Sequence, residues 1–502
     1  MGALGSLSWR FAPWRVTTVR STIRSRDVGP PPSSTSRCPR SRRPRIRAKP
    51  LRRTSGGTDL QPRLVGLEEH RNEIPPDWRV VMVNPQWDID TPDFLRQIDP
   101  RGRYRWLQTY TPAASVRFIA ENFRDVEFLE YPTMAEYERE LARGIDILGL
   151  SFYTYQMAEV AEMVRLARSY GVKEVWGGGW GIDTPGAREI FDRSFGGYGE
   201  QLLLPVIGDR WKGGLRHPVM IGPARVFGFR SKLGYLYSIR GCKYKCVYCP
   251  TPAFLPDRLI MPLSEIERVL DAYAKANVGA VVIYDETFLS DRPYSWQVVD
   301  MLAERCLPWF CLASSAELYG NVSKLRDKGF IGCLMGIESL RDKTLMEYKR
   351  GRSTSLNVKV LKEMHDNSAY VVGSYIFCHD GDPKATMLSD IDKLASMDIP
   401  AVMPTILTPY PPTPPFHDFY DRINDWDWHH WDNGHLVWRH PHVTAEEARQ
   451  IALDCAYACN SFSYNLRFIG KEMLFRILPF KLRGSSVRAS LPLPPSPAKG
   501  LA

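Results

Sequence analysis

The sequence lacks any uninterrupted apolar stretch of the roughly 18 or more residues that a membrane helix requires, so no transmembrane anchor is expected. It lacks a secretory apolar segment at its front, and its ten cysteines are therefore expected to be reduced thiols of a cytoplasmic protein rather than a disulfide framework. No G-x-G-x-x-G opens a helix after the first strand-like run, which excludes the dinucleotide fingerprint. Acidic residues are nearly missing from residues 1–65, where 14 Arg and one Lys stand against two Asp. The whole of the +10 net charge lies in that segment, and the remaining chain is slightly acidic. A basic excess in a Ser/Pro/Arg-rich stretch without hydrophobic periodicity says little about a folded body, and nucleic-acid binding is not expected. The same composition fits an organelle transit peptide or an upstream extension.

What is present begins with "RGCKYKCVYCPTP", which places Cys242, Cys246 and Cys249 in one short loop. Three sulfurs spaced C-x3-C-x2-C can converge on a metal centre, but a closed zinc site wants a fourth protein ligand, and the nearest histidine, His217, stands well upstream. An iron-sulfur cube held by three cysteines leaves one iron open. The other cysteines are scattered, and Cys333 and Cys378 sit in apolar runs that read as core.

From Val80 the chain alternates strand and helix patterns. "RVVMVN" (79–84), "VEFLEY" (126–131), "DILGLSFYTY" (146–155) and "KEVWGGGWG" (173–181) read as strands. "SVRFIAENF" (115–123) has helical spacing, and "MAEVAEMVRLARSYG" (157–171) is an amphipathic helix closed by a glycine. This predicts a parallel sheet covered on both faces, with its ligand site at the carboxyl ends of the strands. Gly177, Gly178 and Gly179 bare the backbone at one such end, either for a bulky cofactor or simply as a tight turn. After residue 228, strands are expected at 280–288, 309–314, 330–339, 371–377 and 401–414, following the one that leads into the cysteine loop. "SEIERVLDAYAKANV" is a helix with Ser264 as N-cap. Six strand-helix alternations predict an incomplete (β/α) barrel with its chemistry at the C-terminal mouth.

Two resemblances follow from these residues. The order "VMVNP", "DILGLSFYTY", "EVWGGGWG", "FGGYGEQLL" resembles the cobalamin-binding domain that precedes many radical S-adenosylmethionine (SAM) enzymes, with Asp146, Gly149, Ser151, Gly177–Gly179, Gly199 and Glu200 on its motif positions. The D-x-H-x-x-G sequence that brings histidine to cobalt is absent from residues 80–210, and the formal likeness at Asp427-Trp428-His429 has Asp432 in place of glycine. Residues from 234 onward resemble the radical SAM superfamily through C-x3-C-x2-C with an aromatic, Tyr248, before the third cysteine. "YDETF" offers Asp285 and Glu286, and "GIES" offers Glu338, at places where that family meets SAM. "PYPPTP" (410–415) resembles the element that closes the barrel, with Pro412 in place of glycine.

The resemblance implies an α/β protein: a doubly wound, Rossmann-like cobalamin-binding domain (75–210), a partial (β/α)6 TIM-type radical SAM barrel (228–415), a small C-terminal cap (416–485), and disordered segments at 1–70 and 486–502. It implies a 4Fe-4S cluster on Cys242, Cys246 and Cys249. Around it, SAM and cobalamin would be held by Asp285, Glu286, Glu338, Tyr248, Ser151 and Gly177–Gly179. An external electron donor such as a flavodoxin or ferredoxin, and a small-molecule substrate, are implied as well. Methyl transfer to an unactivated carbon is the implied reaction. The alternatives are radical cyclisation, oxidation or rearrangement without methyl transfer, and a non-catalytic metal-binding scaffold. The histidine- and tryptophan-rich "DWDWHHWDNGHLVWRHPHV" is expected to pack as the cap rather than line the pocket.

Overall fold

The structure is a computed structural model that describes residues 74–85, 107–226, 229–349 and 351–460. The expected disordered segments and the end of the expected cap lie outside these residues. The described residues belong to one compact unit.

The strands, in chain order, start with β1 (Val80–Asn84), β2 (Leu107–Thr109), β3 (Val126–Glu130), β4 (Ile147–Ser151), β5 (Glu174–Gly178) and β6 (Arg193–Phe195). All but β2 form a parallel sheet in the order β3-β1-β4-β5-β6. β1 is buried at every position, as a parallel strand covered on both faces must be, and this explains its unbroken apolar sequence. Three helices cover the sheet: α1 (Ala114–Asn122), α2 (Met134–Leu141) and α3 (Met157–Ser169). Thr133 and Glu136 close a capping box at the start of α2. In α3, Val160, Met163, Val164 and Ala167 are buried, the face that their spacing predicts, and Gly171 follows at φ +80°.

The second sheet takes β7 (Ile221–Val226) and β8 (Phe229–Leu236), and, beyond the two-strand pair β9 (Ile239–Arg240) and β10 (Leu259–Ile260), β11 (Ala280–Ile283), β12 (Trp309–Ala313), β13 (Phe330–Glu338), β14 (Tyr370–Phe377) and β15 (Ala401–Ile406). Its order is β15-β14-β13-β12-β11-β8-β7-β2. From β8 to β15 the six strands are parallel, which is the expected partial barrel. β7 and β2 extend it antiparallel, so β2 ties residues from among the first sheet's strands to the barrel's edge. The sequence reading missed β2, β6, β9 and β10, whose two or three residues carry no periodic signal, and β7, whose run is interrupted by Gly222 and Pro223.

Helices α4 (Leu263–Lys275), α5 (Arg292–Glu304), α6 (Thr354–Asp366) and α7 (Lys384–Ser396) lie between successive barrel strands, and α8 (Ala445–Cys459) follows β15. Ser264 is not the cap of α4: the helix begins one residue earlier, with Pro262 at the N-cap position, where its missing N–H removes nothing from the ladder. Asn460, just past α8, bonds both the N–H (2.7 Å) and the carbonyl (2.9 Å) of Val402, which occupies backbone groups of the edge strand β15. Trp431 and Trp438 are buried in the barrel's core, and His440 reaches the His379 carbonyl at 3.0 Å. Among the described residues no helix is long and apolar enough to cross a membrane.

Candidate active site

The cysteine loop leaves β9 at the C-terminal end of the barrel strands. Gly241, which turns it, has φ +86°, and a Cβ there would stand 2.6 Å from both the Tyr198 hydroxyl and the Asp257 carbonyl, so only glycine fits. The Gly241 N–H donates to Glu286 at 2.9 Å. Within the loop the Tyr244 N–H donates to Cys242 Sγ at 3.4 Å, the Thr287 hydroxyl lies 3.8 Å from the same sulfur, and the Cys249 N–H donates to the Cys246 carbonyl at 3.2 Å. Burial raises the Cys242 thiol and pushes Cys249 up to about 11. Thiols so placed keep their protons until a metal centre replaces them.

Among the described residues no three His, Cys, Asp or Glu side chains converge as ligands of a single ion. A cube of four irons asks for less, because each thiolate binds a different iron. His217 is no fourth ligand. It is fully buried, its Nε2 accepts from the Tyr237 N–H at 3.0 Å, its Nδ1 faces the Pro218 carbonyl at 2.7 Å, and burial lowers its pKa to about 3.

The two acids of "YDETF" part company. Asp285 is fully buried, and its two oxygens accept from the Ser238 N–H (2.6 Å) and the Ser238 hydroxyl; burial raises its pKa to about 7. It ties the loop after β11 to the turn after β8; both of its oxygens are taken up by Ser238, and it is not among the residues that line the adjoining cavity. Glu286 lines the adjoining cavity.

Glu338 ends β13 at φ +66° and Cys378 follows β14 at φ +61°, two left-handed non-glycine residues at neighbouring strand ends. His379 is buried beside them, its Nε2 3.2 Å from the Glu338 carbonyl, and burial holds it neutral with a pKa of about 4. Tyr248 approaches Tyr348 (ring centroids 5.9 Å), which meets His379 edge-on at 4.7 Å. Sequence reasoning missed Arg352. This guanidinium is buried, rests 4.5 Å over the ring of Tyr244, and has no hydrogen-bond partner on any of its three nitrogens. In the basic run "YKRGR" it looks like one more surface charge.

A cavity of about 470 Å³ lies between the strand ends of the first sheet and the barrel. Ser151 and Gly177–Gly179 line it from one side, and Tyr237, Arg240 and Glu286 from the other. Tyr237 and Tyr284 stack in its wall (5.7 Å), and burial keeps both phenols protonated. The three glycines differ. A Cβ on Gly177 would enter the Phe191 ring at 2.3 Å, and one on Gly179, at φ +84°, would meet the Phe152 carbonyl at 2.7 Å. These two are required by packing. Gly178 meets only the Phe195 carbonyl at 3.5 Å, so it alone leaves room.

Residues 236–394 match the Radical SAM superfamily. This segment is a radical SAM domain. It holds all of the six-stranded barrel except β15 and most of β8, and it carries the three cysteines, Glu286, Glu338 and Arg352. Over 221 residues, 40% of this chain and 48% of the relative, the sequence is 27% identical to bacteriochlorophyllide d C-8(2)-methyltransferase of Chlorobaculum tepidum. It is 25% identical over 218 residues to the C-12(1)-methyltransferase of the same organism. The chain spans about half the length of these curated relatives. In fold, it is similar to the radical SAM methyltransferase TsrM of Kitasatospora setae, solved with cobalamin and a [4Fe-4S] cluster, at TM-score 0.56 and 13% identity, over 77% of this chain and 90% of that one. A second TsrM structure, with tryptophan and a SAM analog bound, gives TM-score 0.57 at 14% identity with the same coverage. The radical SAM domain thus sits beside a parallel sheet in a two-part arrangement that TsrM shares.

Proposed function

We propose that this protein is a cobalamin-dependent radical SAM methyltransferase acting on an unactivated carbon of a small molecule. The observation that carries the reading is a three-cysteine loop at the C-terminal mouth of a parallel barrel, adjoining a cavity that is walled on its far side by the glycine-bearing strand ends of a second sheet. A 4Fe-4S cluster held by Cys242, Cys246 and Cys249 would supply the electron for reductive cleavage of SAM, and cobalamin in the adjoining cavity would supply the methyl group.

The chain's own residues would divide the work as follows. Cys242, Cys246 and Cys249 would hold the cluster, with the Tyr244 N–H to Cys242 lowering the charge on one sulfur. Arg352 would take the carboxylate of SAM, because a buried guanidinium without a hydrogen bond costs several kcal/mol unless an anion meets it. Glu338, set at a strained strand end, would face the nucleoside. Gly178 and Ser151 would leave room for the corrinoid, whose cobalt receives no histidine from a D-x-H-x-x-G motif. A flavodoxin or ferredoxin would serve as the electron donor. The stacked Tyr237 and Tyr284 would limit the water that reaches a radical on their side of the cavity.

The test is the product balance of the anaerobically reconstituted protein loaded with hydroxocobalamin and supplied with an acceptor. Methyl transfer yields S-adenosylhomocysteine together with 5'-deoxyadenosine. Formation of 5'-deoxyadenosine alone by a protein that retains its corrinoid would show radical chemistry without methyl transfer and would overturn the proposal.

A further inference from the structure

The turn 197–200, which follows the last strand of the first sheet, is fastened to the two residues immediately before Cys242. The Tyr198 hydroxyl lies 2.7 Å from the carbonyl of Arg240 and 2.8 Å from that of Asp257, and it closes the space over Gly241. Glu200, 2% exposed, forms an ion pair with Arg240 at 2.9 Å. The Arg240 guanidinium lies 4.1 Å from the Phe118 ring centroid and 5.1 Å from that of Tyr198. Its Nε and one Nη have no hydrogen-bond partner although they are buried. Tyr198, Glu200, Arg240 and Glu286 all line the cavity, and Glu286 holds the Gly241 N–H from the other side.

We infer that Arg240 is a hydrogen-bonding subsite for the ligand of this cavity, and that the Tyr198–Glu200 turn transmits occupancy of the cavity to the cysteine loop. The inference rests on the corrinoid reading above and deepens it. Buried N–H groups without acceptors favour a ligand that brings one, and a corrinoid offers the carboxamide oxygens of its ring side chains. A ligand that satisfies Arg240 acts two residues from Cys242. Because Glu200 and Tyr198 belong to the first-sheet side and grip the same two residues, filling the cavity and ordering the loop stabilise each other. Such coupling is reciprocal: corrinoid must favour the cluster by the factor by which the cluster favours corrinoid.

The experiment uses the full chain and hydroxocobalamin as probe. Its affinity is measured by absorbance on cluster-loaded protein and on protein stripped of iron by a chelator, for the wild type, Glu200→Gln and Tyr198→Phe. The wild type is expected to bind hydroxocobalamin about tenfold more tightly when loaded, roughly 1.4 kcal/mol of coupling. Each variant should lose most of that ratio while still taking up its iron. In the reciprocal arm, hydroxocobalamin should slow iron loss to the chelator in the wild type and not in the variants. Should Glu200→Gln fail to bind corrinoid at all, Tyr198→Phe, which deletes only a hydroxyl, decides. A loaded wild type that retains no corrinoid overturns the corrinoid reading and this inference with it. Corrinoid that binds equally well to loaded and stripped wild type, or a ratio unchanged in both variants, overturns this inference alone.

Discussion

The barrel and the first sheet present their strand ends to one cavity, but they equip them in opposite ways. In the barrel the candidate chemistry consists of side chains: three thiols, Glu286, Glu338, and a buried guanidinium that no protein group answers. In the first sheet it consists largely of missing side chains, Gly178 above all. On the proposed reading, one region would bind charge and metal, and the other would admit bulk. Sequence patterns record the first far better, because a thiol has few other reasons to recur at fixed spacing, whereas glycine has many. The structure sharpens this point, since two of the three glycines at 177–179 answer to Phe191 and Phe152 rather than to open space.

The contrast can be broken most forcefully at Arg352. Arg352→Met should weaken SAM binding to the cluster-loaded protein by at least about tenfold, with a smaller loss for Arg352→Lys, as equilibrium dialysis with labelled SAM would measure. Undiminished binding in the Met variant would mean that the guanidinium serves only the fold.

A smaller effect separates the glycines. Gly179→Ala must hold a left-handed backbone against the Phe152 carbonyl and should cost about 1–3 kcal/mol of stability in denaturant unfolding. Gly178→Ala should unfold like the wild type but bind hydroxocobalamin several-fold more weakly. Equal behaviour of the two would dissolve the distinction between packing glycine and cavity glycine.

The least effect is expected with pH. His217 and His379 stay neutral in the fold down to about 3 and 4, while an unfolded histidine takes its proton near 6.5. The unfolded state therefore binds more protons as pH falls below 6.5, and stability is lost in that direction. Asp285, raised to about 7, works the other way, because the folded state keeps a proton that the unfolded state gives up above about 4. Asp382, raised to about 6 by burial, sides with Asp285, so the balance between pH 7 and pH 5 is read from single substitutions, each compared with the wild type by the loss of thermal midpoint over that interval. The loss should grow in Asp285→Asn and shrink in His217→Gln.

Much of the fold was legible because long elements repeat their pattern. The buried run of β1, the one-sided apolar face of α3 and the alternation from β8 to β15 all stand where spacing puts them. What escaped was short or shared. β2 has three residues, too few to show a period, and leaves its sequence neighbours to pair with a distant strand, while Gly222 and Pro223 interrupt the pattern of β7. In the site, the cysteine loop declared itself. Asp285 and Glu286 could not be told apart, because both follow the end of β11 and only the fold shows that the first is tied to Ser238 while the second reaches the cavity. Arg352 and Arg240 were hidden among many arginines, for nothing in a one-dimensional sequence says which guanidinium is buried and left without a partner.

SAM cleavage per protein, measured anaerobically in the iron-reconstituted wild type and in Cys246→Ala, tests most directly the claim that the barrel's thiols carry the chemistry. The wild type should hold about four irons on its three cysteines and release 5'-deoxyadenosine on reduction. The variant should lose its cluster and all cleavage. Full iron content with undiminished cleavage in Cys246→Ala would contradict the account.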